Sequence, residues 1–276
     1  MAAPAAPAAL VDLDADRRIR PLTQALALAG RSARSTARQP EMWLPSLIFP
    51  LMIAAVNNSA MARAVNLPGF PPVDSVLQFL LPATIVQGVM FGAVSGGSDL
   101  ALDIENGFFE RLLASPVARP AILVGRLAGG AVLGASQTVV FVALFALFGA
   151  RVEGGPLAVV ALMGMAVAVT LMVGGVTAAV GIRTGSQESV DAAFPLIFIL
   201  LFMSSAFFPA ELMSGWFQWM AVHNPLSWMI DAARRLVIYG FDWSDAVEAV
   251  AVPAAISVLT IALAVRQMQK RLERDR

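Results

Sequence analysis

Asp, Glu, Lys and Arg are missing from this chain for stretches of seventeen residues or more, and that constrains the fold more than any motif. A soluble domain must interleave charge at helical or strand period to cover its surface. A helix in lipid satisfies its own backbone and needs about twenty apolar residues to cross a hydrocarbon core of roughly 30 Å. With 58% hydrophobic and 14% charged residues among 276, the composition is that of a membrane protein. Six runs are expected to span: Trp43–Met61, Val76–Val94, Leu127–Ala150, Leu157–Ile182, Val190–Phe208 and Val247–Val265. Asn57 and Asn58 shorten the apolar part of the first.

Basic residues between these runs fall unequally. Arg17, Arg18, Arg20, Arg31, Arg34 and Arg38 lie on one side, with Arg111, Arg119, Arg126, Arg183, Arg266, Lys270, Arg271, Arg274 and Arg276. The other side holds Arg63, Arg151, Arg234 and Arg235. Basic loops stay in the cytoplasm, so both termini are expected there. Between Arg20 and Arg38, Leu22, Leu26, Ala29 and Ala33 form one helical stripe facing away from the arginines. This reads as an amphipathic helix on the inner leaflet, with a solvated basic tail as the alternative. Met1–Val11 is Ala/Pro-rich without a basic start, so no cleavable signal peptide is expected. Gly88, Gly92 and Gly96, and the pairs Gly125/Gly129 and Gly130/Gly134, have the spacing that lets helices approach closely, within one subunit or between two.

Nineteen acidic residues balance nineteen basic ones, leaving no net field to attract nucleic acid, and the lack of cysteine excludes disulfides and thiolate chemistry. A nucleotide-binding P-loop needs Gly-Lys-Ser/Thr, yet Lys270 is the sole lysine and Arg271 follows it. ATP and Mg, if used, belong to another chain. Gln78, Gln87, Gln137, Thr170 and Thr177 are among the polar groups inside the runs, with no acid in their central portions of the kind proton-coupled carriers use. His223, the lone histidine, adjoins the break Asn224-Pro225 and has no companions for a metal site. Catalytic and metal-binding residues are therefore not expected, and the chain is not read as an enzyme.

Between runs two and three the chain reads Asp99-Leu-Ala-Leu-Asp103-Ile-Glu105-Asn-Gly107-Phe108-Phe-Glu110-Arg111-Leu-Leu-Ala-Ser115-Pro116. Acids precede bases, and Ile104, Phe108 and Leu112 recur at helical spacing, predicting a short amphipathic helix that ends before Pro116. Its apolar residues need a partner surface or the membrane interface to cover them. The sequence from Glu105 to Pro116, with Gly125-Arg126 after it, resembles the loop of type-2 ABC exporter permeases, especially the daunorubicin-resistance type. Asn224-Pro225-Leu-Ser-Trp-Met-Ile-Asp231-Ala-Ala-Arg234 is similar to the same family's signature before the last span. The resemblance implies that a separate ATPase subunit docks on the loop through Glu105, Gly107, Phe108, Glu110 and Arg111. It also implies that the helix before Trp43 is the family's interfacial connecting helix.

Before the last run, an aromatic stretch through Trp216, Phe217 and Trp219 breaks at Asn224-Pro225 and resumes to Val237, each half too short to cross alone. Either a re-entrant pair or an aromatic belt at the outer interface fits, and Asp231 is placed to pair with Arg234 and Arg235. The family resemblance favours an outer gate built on Asn224, Pro225, Asp231 and Arg234.

The expected architecture is all-α: six transmembrane helices, an N-terminal amphipathic interfacial helix and a re-entrant helical hairpin before the last span. A flexible tail covers 1–19, the connecting helix 20–42, the permease domain 43–265 with a coupling loop at 97–120 and an external hairpin at 209–240, and a cytoplasmic tail 266–276. The expected function is export of an amphiphilic or hydrophobic substrate (drug, lipid or lipid-linked glycan), powered by the partner ATPase. The route would pass Gln87, Phe198, Phe202 and Met203, and a second copy would complete it as a homodimer. Scarce lysine beside abundant arginine and alanine suggests a high-GC genome, hence a bacterial plasma membrane. An ATP-independent carrier or channel is the alternative.

Overall fold

The computed structural model describes residues 40–63, 65, 68–107 and 119–274, and every regular element among them is helical. The expected connecting helix lies outside the described residues except for Pro40–Met42, which open the first helix. Phe108, Glu110 and Arg111 also lie outside them. In chain order the helices are α1 (Pro40–Ala60), α2 (Val76–Glu105), α3 (Arg119–Leu147), α4 (Gly155–Thr184), α5 (Gln187–Phe202), α6 (Gly215–His223), α7 (Pro225–Ile238) and α8 (Trp243–Arg274). A short 3-10 turn at Ala210–Leu212 precedes α6.

Local chemistry sets these boundaries. Ser75 caps α2 by accepting from Leu77 N at 3.2 Å, and Ser186 caps α5 by accepting from Ser189 N at 3.4 Å. Asn224 caps α7 by accepting from Leu226 N at 2.9 Å, with Pro225 in the first turn, where its missing N–H costs nothing. Gly185, at φ +65°, ends α4 in the left-handed region that favours glycine.

Four helices are long and apolar enough to cross a membrane: α2, α3 from Gly125, α4, and α8 to Arg271. At 30 residues, α2 and α4 are each about 45 Å long, more than a hydrocarbon core. The apolar part of α1, Leu44–Ala60, is shorter. Helix α5 has 16 residues, about 24 Å, and stops at Phe202 rather than at the expected Phe208. Among the described residues, length and composition alone therefore mark four crossings.

The second expected span also continues further. Residues 97–105, read from sequence as the start of a loop, prolong α2 without a break. Gly97 does not interrupt it, because it lies against Thr177 of α4 so closely that an added Cβ would sit 2.3 Å from the threonine side chain. Ile104, expected to need an outside partner, is covered with Leu100 by Leu123, Leu127, Ile182 and Met268 of the bundle itself.

Helices α2 and α4 form the centre. Helix α2 packs against α1, α3, α4, α5 and α7, and α4 against α2, α3, α5, α7 and α8. Gly88 of α2 meets Phe141 of α3 and the Ser46 carbonyl of α1, and Gly134 of α3 meets Thr170 of α4. Those glycines thus serve packing within one chain. Both ends of the bundle carry polar contacts. Gln78 donates to Arg151 O at 2.9 Å at one end, and Arg126 pairs with Asp103 at the other.

Candidate functional site: a latched helix and a phenylalanine ladder

Helix α5 ends at Phe202, and the chain turns through 203–208 instead of continuing. A helix end leaves its last carbonyls without backbone partners, a costly state wherever water is excluded. Helix α7 supplies the missing donors. Asn224 Nδ2 donates to Leu200 O at 2.7 Å and to Met203 O at 3.2 Å. Arg234 donates through its terminal guanidinium nitrogens to Ser205 O at 2.9 Å and Ala206 O at 3.3 Å, and through Nε to Phe79 O of α2 at 3.2 Å.

Arg234 is only 5% exposed, and its guanidinium carbon stands 3.7 Å from the centre of the Phe79 ring, a cation–π contact. It also pairs with Asp231 one turn back on α7. Ser205 completes the cluster, its hydroxyl donating to Asp231 Oδ1 at 2.8 Å and its amide donating to Ser227 Oγ at 2.9 Å. A guanidinium suits this task because its planar fork reaches several acceptors at once and stays charged.

All four residues of the expected gate meet here. Asn224 bridges α6 and α7, Pro225 opens α7, and Asp231 and Arg234 hold the end of α5. The Asp231–Arg234 pair joins a buried arginine to a partly solvated carboxylate, and one expectation changes. Arg235 does not share Asp231; it donates instead to Asp245 at 2.6 Å and Glu248 at 2.5 Å on α8, which lie on its side of α7. Ser205 and Ser227 were not singled out from sequence, although the Ser204-Ser205 pair straight after the apolar run was a usable signal.

The expected route residues separate into two environments. Phe198 and Phe202 belong to a ladder of rings running Phe194, Phe198, Phe202 and Phe207, with neighbouring centroids 5.1–5.3 Å apart. Phe91 of α2 sits 4.9 Å from Phe194 and 5.3 Å from Phe198, and Phe49 of α1 sits 5.1 Å from Phe91. Spacing of four on α5 stacks the rings along one face. Met203 is at the top, its carbonyl already held by Asn224.

Gln87 lies one turn before Phe91 on α2 and is fully buried, and neither atom of its amide has a hydrogen-bond partner. Gln137 of α3 donates to Ser46 Oγ of α1, while its own oxygen is unpaired. The structure thus does not bring Gln87 into an open channel; it packs the amide among side chains.

At the opposite end of α5, Glu105 Oε1 accepts from Gln187 N at 2.8 Å, and Ser98 Oγ donates to Asp191 Oδ1 at 2.7 Å. Gly107, two residues on, has φ +65°. His223 Nδ1 lies 2.7 Å from Trp219 O, and its ring stacks on Trp219 at 4.7 Å, so it serves the end of α6. No group of three or more His, Cys, Asp or Glu side chains converges as metal ligands among the described residues.

Comparison with known proteins places this geometry. Residues 23–238 match the model of the ABC-2 type transporter family. A daunorubicin resistance ABC transporter permease of Streptomyces coeruleorubidus is 34% identical over 197 residues, covering 70% of this chain and 66% of that protein. A transport permease of Porphyra purpurea is 30% identical over 224 residues, covering 79% and 75% of the two chains. A doxorubicin resistance ABC transporter permease of Mycobacterium tuberculosis is 22% identical over 219 residues, covering 79% and 78%. With the matched segment running from before α1 to the end of α7, the chain belongs to the ABC-2 type transporter family.

Proposed function

We propose that this chain is the permease subunit of an ATP-driven exporter for amphiphilic or hydrophobic compounds, driven by a separate ATPase that carries the ATP and Mg. The observation that carries this reading is the phenylalanine ladder along α5, flanked by α1 and α2. Flat aromatic or acyl cargo binds such a wall through area and ring stacking, without the charged groups at membrane depth that a proton-coupled carrier uses. The names of the drug-resistance relatives support drug-like cargo, and lipids or lipid-linked glycans share the chemistry.

In this reading α1 and α5 complete a set of six crossings, α5 with the turn at 203–208. The α6–α7 hairpin dips back from the outer face, and both termini lie in the cytoplasm of a bacterial plasma membrane. The ATPase docks on the loop after Glu105 and on the helix at 20–42. A second copy faces the exposed apolar side of α1 and α5, including Ile48, Met52, Leu196 and Leu200, so that two ladders enclose one route. ATP-driven closure of the docked subunits then turns the wall from inward to outward access.

The test is affinity purification of the tagged chain from its native membranes, followed by reconstitution with daunorubicin as probe. Co-purification of an ATPase with Walker motifs and drug movement that stops when ATP is depleted are expected. Transport that persists without ATP, with no ATPase attached, would replace this reading by a carrier or channel.

A further inference from the structure

The loop-side end of α5 is held by a carboxylate from another helix. Glu105, the last residue of α2, accepts from the main-chain amide of Gln187, the first residue of α5, at 2.8 Å. That amide is one of the first-turn donors that no helix satisfies internally, and a carboxylate there also complements the positive end of the helix dipole. A second tie lies two turns back on α2, where Ser98 Oγ donates to Asp191 Oδ1 of α5 at 2.7 Å. The two ends are also in apolar contact through α4, since an added Cβ at Gly181 would sit 3.3 Å from Ala101 and 3.4 Å from Val190.

We infer that Glu105 is a positioning residue for α5: its carboxylate turns inward onto that helix and carries movement of the α2 end directly to the phenylalanine ladder. The reasoning rests on the proposed docking of an ATPase on the following loop. It departs from a purely docking role, in which the same carboxylate would face the ATPase. Movement of the α2 end then reaches Phe194, Phe198 and Phe202 along one continuous helix.

The sequence offers a clean way to remove the bond from the other side. Gln187 is the first helical residue, where proline is tolerated, and Ser186 before it is extended at φ −131° and ψ 125°, as a residue preceding proline should be. Gln187→Pro therefore removes the N–H together with the side chain, and Gln187→Ala, which removes the side chain but keeps the N–H, isolates the effect of the N–H.

The full chain, purified with its ATPase and reconstituted, is compared as Gln187→Pro, Gln187→Ala, Glu105→Ala, Glu105→Gln and the Glu105→Ala/Gln187→Pro double variant. Gln187→Pro is expected to keep ATPase co-purification and hydrolysis while lowering substrate moved per ATP about two- to fivefold, the weight of one exposed dipole-aligned contact. Glu105→Ala should lower it at least as far, the double variant should be no worse than Glu105→Ala alone, Glu105→Gln should recover part of the loss through its remaining acceptor, and Gln187→Ala should behave as the parent. A Gln187→Pro variant that transports normally, or a double variant clearly worse than Glu105→Ala, overturns the inference.

Hydrogen exchange of the chain alone gives an answer that does not need the ATPase. Glu105→Ala should speed exchange in the first turn of α5 by about the same factor, with α2 and α4 protection unchanged. Unchanged exchange at 187–190 overturns the latch even if transport is ATP-driven. Faster exchange there without any ATPase partner upholds the latch and refutes only the transport reading.

Discussion

Arg234→Met tests whether the hairpin holds α5 in place. Methionine retains much of the buried length and adapts to its surroundings, so the lost polar contacts should dominate over the cavity. Three carbonyls, those of Phe79, Ser205 and Ala206, lose a charged donor at 2.9–3.3 Å, and Asp231 loses its counter-charge. Removing one partner of a buried ion pair costs about 3–5 kcal/mol. Asp231 is still partly solvated at 36% exposure and keeps the Ser205 hydroxyl, which moves the expectation to about 3 kcal/mol. Arg234→Lys should recover only part of this, because one ammonium cannot reach acceptors on α2 and on the turn after α5 as the guanidinium fork does. Asp231→Asn should cost less, about 1–2 kcal/mol, since the guanidinium loses its counter-charge but keeps its three carbonyls. Thermal unfolding in detergent, followed by tryptophan fluorescence with Trp228 on α7 as a local reporter, should place the Met variant on the order of 10 °C below the parent. A shift as small as that of Asp231→Asn would refute the claim that Arg234 satisfies the end of α5.

Gln87→Met exchanges two unpaired buried polar atoms for apolar ones and should stabilise the described packing by about 1–3 kcal/mol in the same assay; destabilisation would mean the amide has a partner in the folded protein. Gly97→Ala drives a Cβ into Thr177 and its backbone, and should cost about 1–3 kcal/mol and lower the yield of folded protein in detergent, whereas Gly96→Ala, where nothing lies within 4 Å, should leave both unchanged. Asp242 accepts from the amide and hydroxyl of Ser244 ahead of α8, and these bonds hold its carboxyl below the usual carboxylate range. Its stabilising effect is therefore present at neutral pH and fades as pH falls through that lowered value. Asp242→Ala should lower the unfolding temperature at pH 7 and differ less from the parent near pH 3.

Much of this layout is legible in the residues. The four long spans follow from uninterrupted apolar runs, and Asn224-Pro225 marks the α6–α7 break because a cap followed by proline at the first position has one structural use. The Asp231–Arg234 pair is legible from its spacing of three, but its burial is not. Spacing fixes which side chains share a face and says nothing of what covers it, and here the covering surface is the Phe79 face of a helix about 150 residues earlier. Arg235 illustrates the same limit, since its partners Asp245 and Glu248 belong to a helix whose direction only the fold sets. Composition alone does not place the end of α5. Residues 203–208 carry no charge and so read as a continuation of the run despite Ser204 and Ser205, and the donors from Asn224 and Arg234 that make an early stop affordable belong to a later helix.

These contacts also limit how this end of α5 can move. The carbonyls of Leu200, Met203, Ser205 and Ala206 take their donors from α7, and in lipid no water would replace those donors if α7 withdrew. Swinging the hairpin away from α5 would therefore leave four carbonyls unsatisfied together, a cost of several kcal/mol at about 1–3 kcal/mol for each group. Helices α5 and α7 each also pack along α2, with Ser98 on Asp191 and the Phe79 ring against Arg234. Movement of the hairpin in the proposed transport cycle would therefore carry α5 and this part of α2 with it.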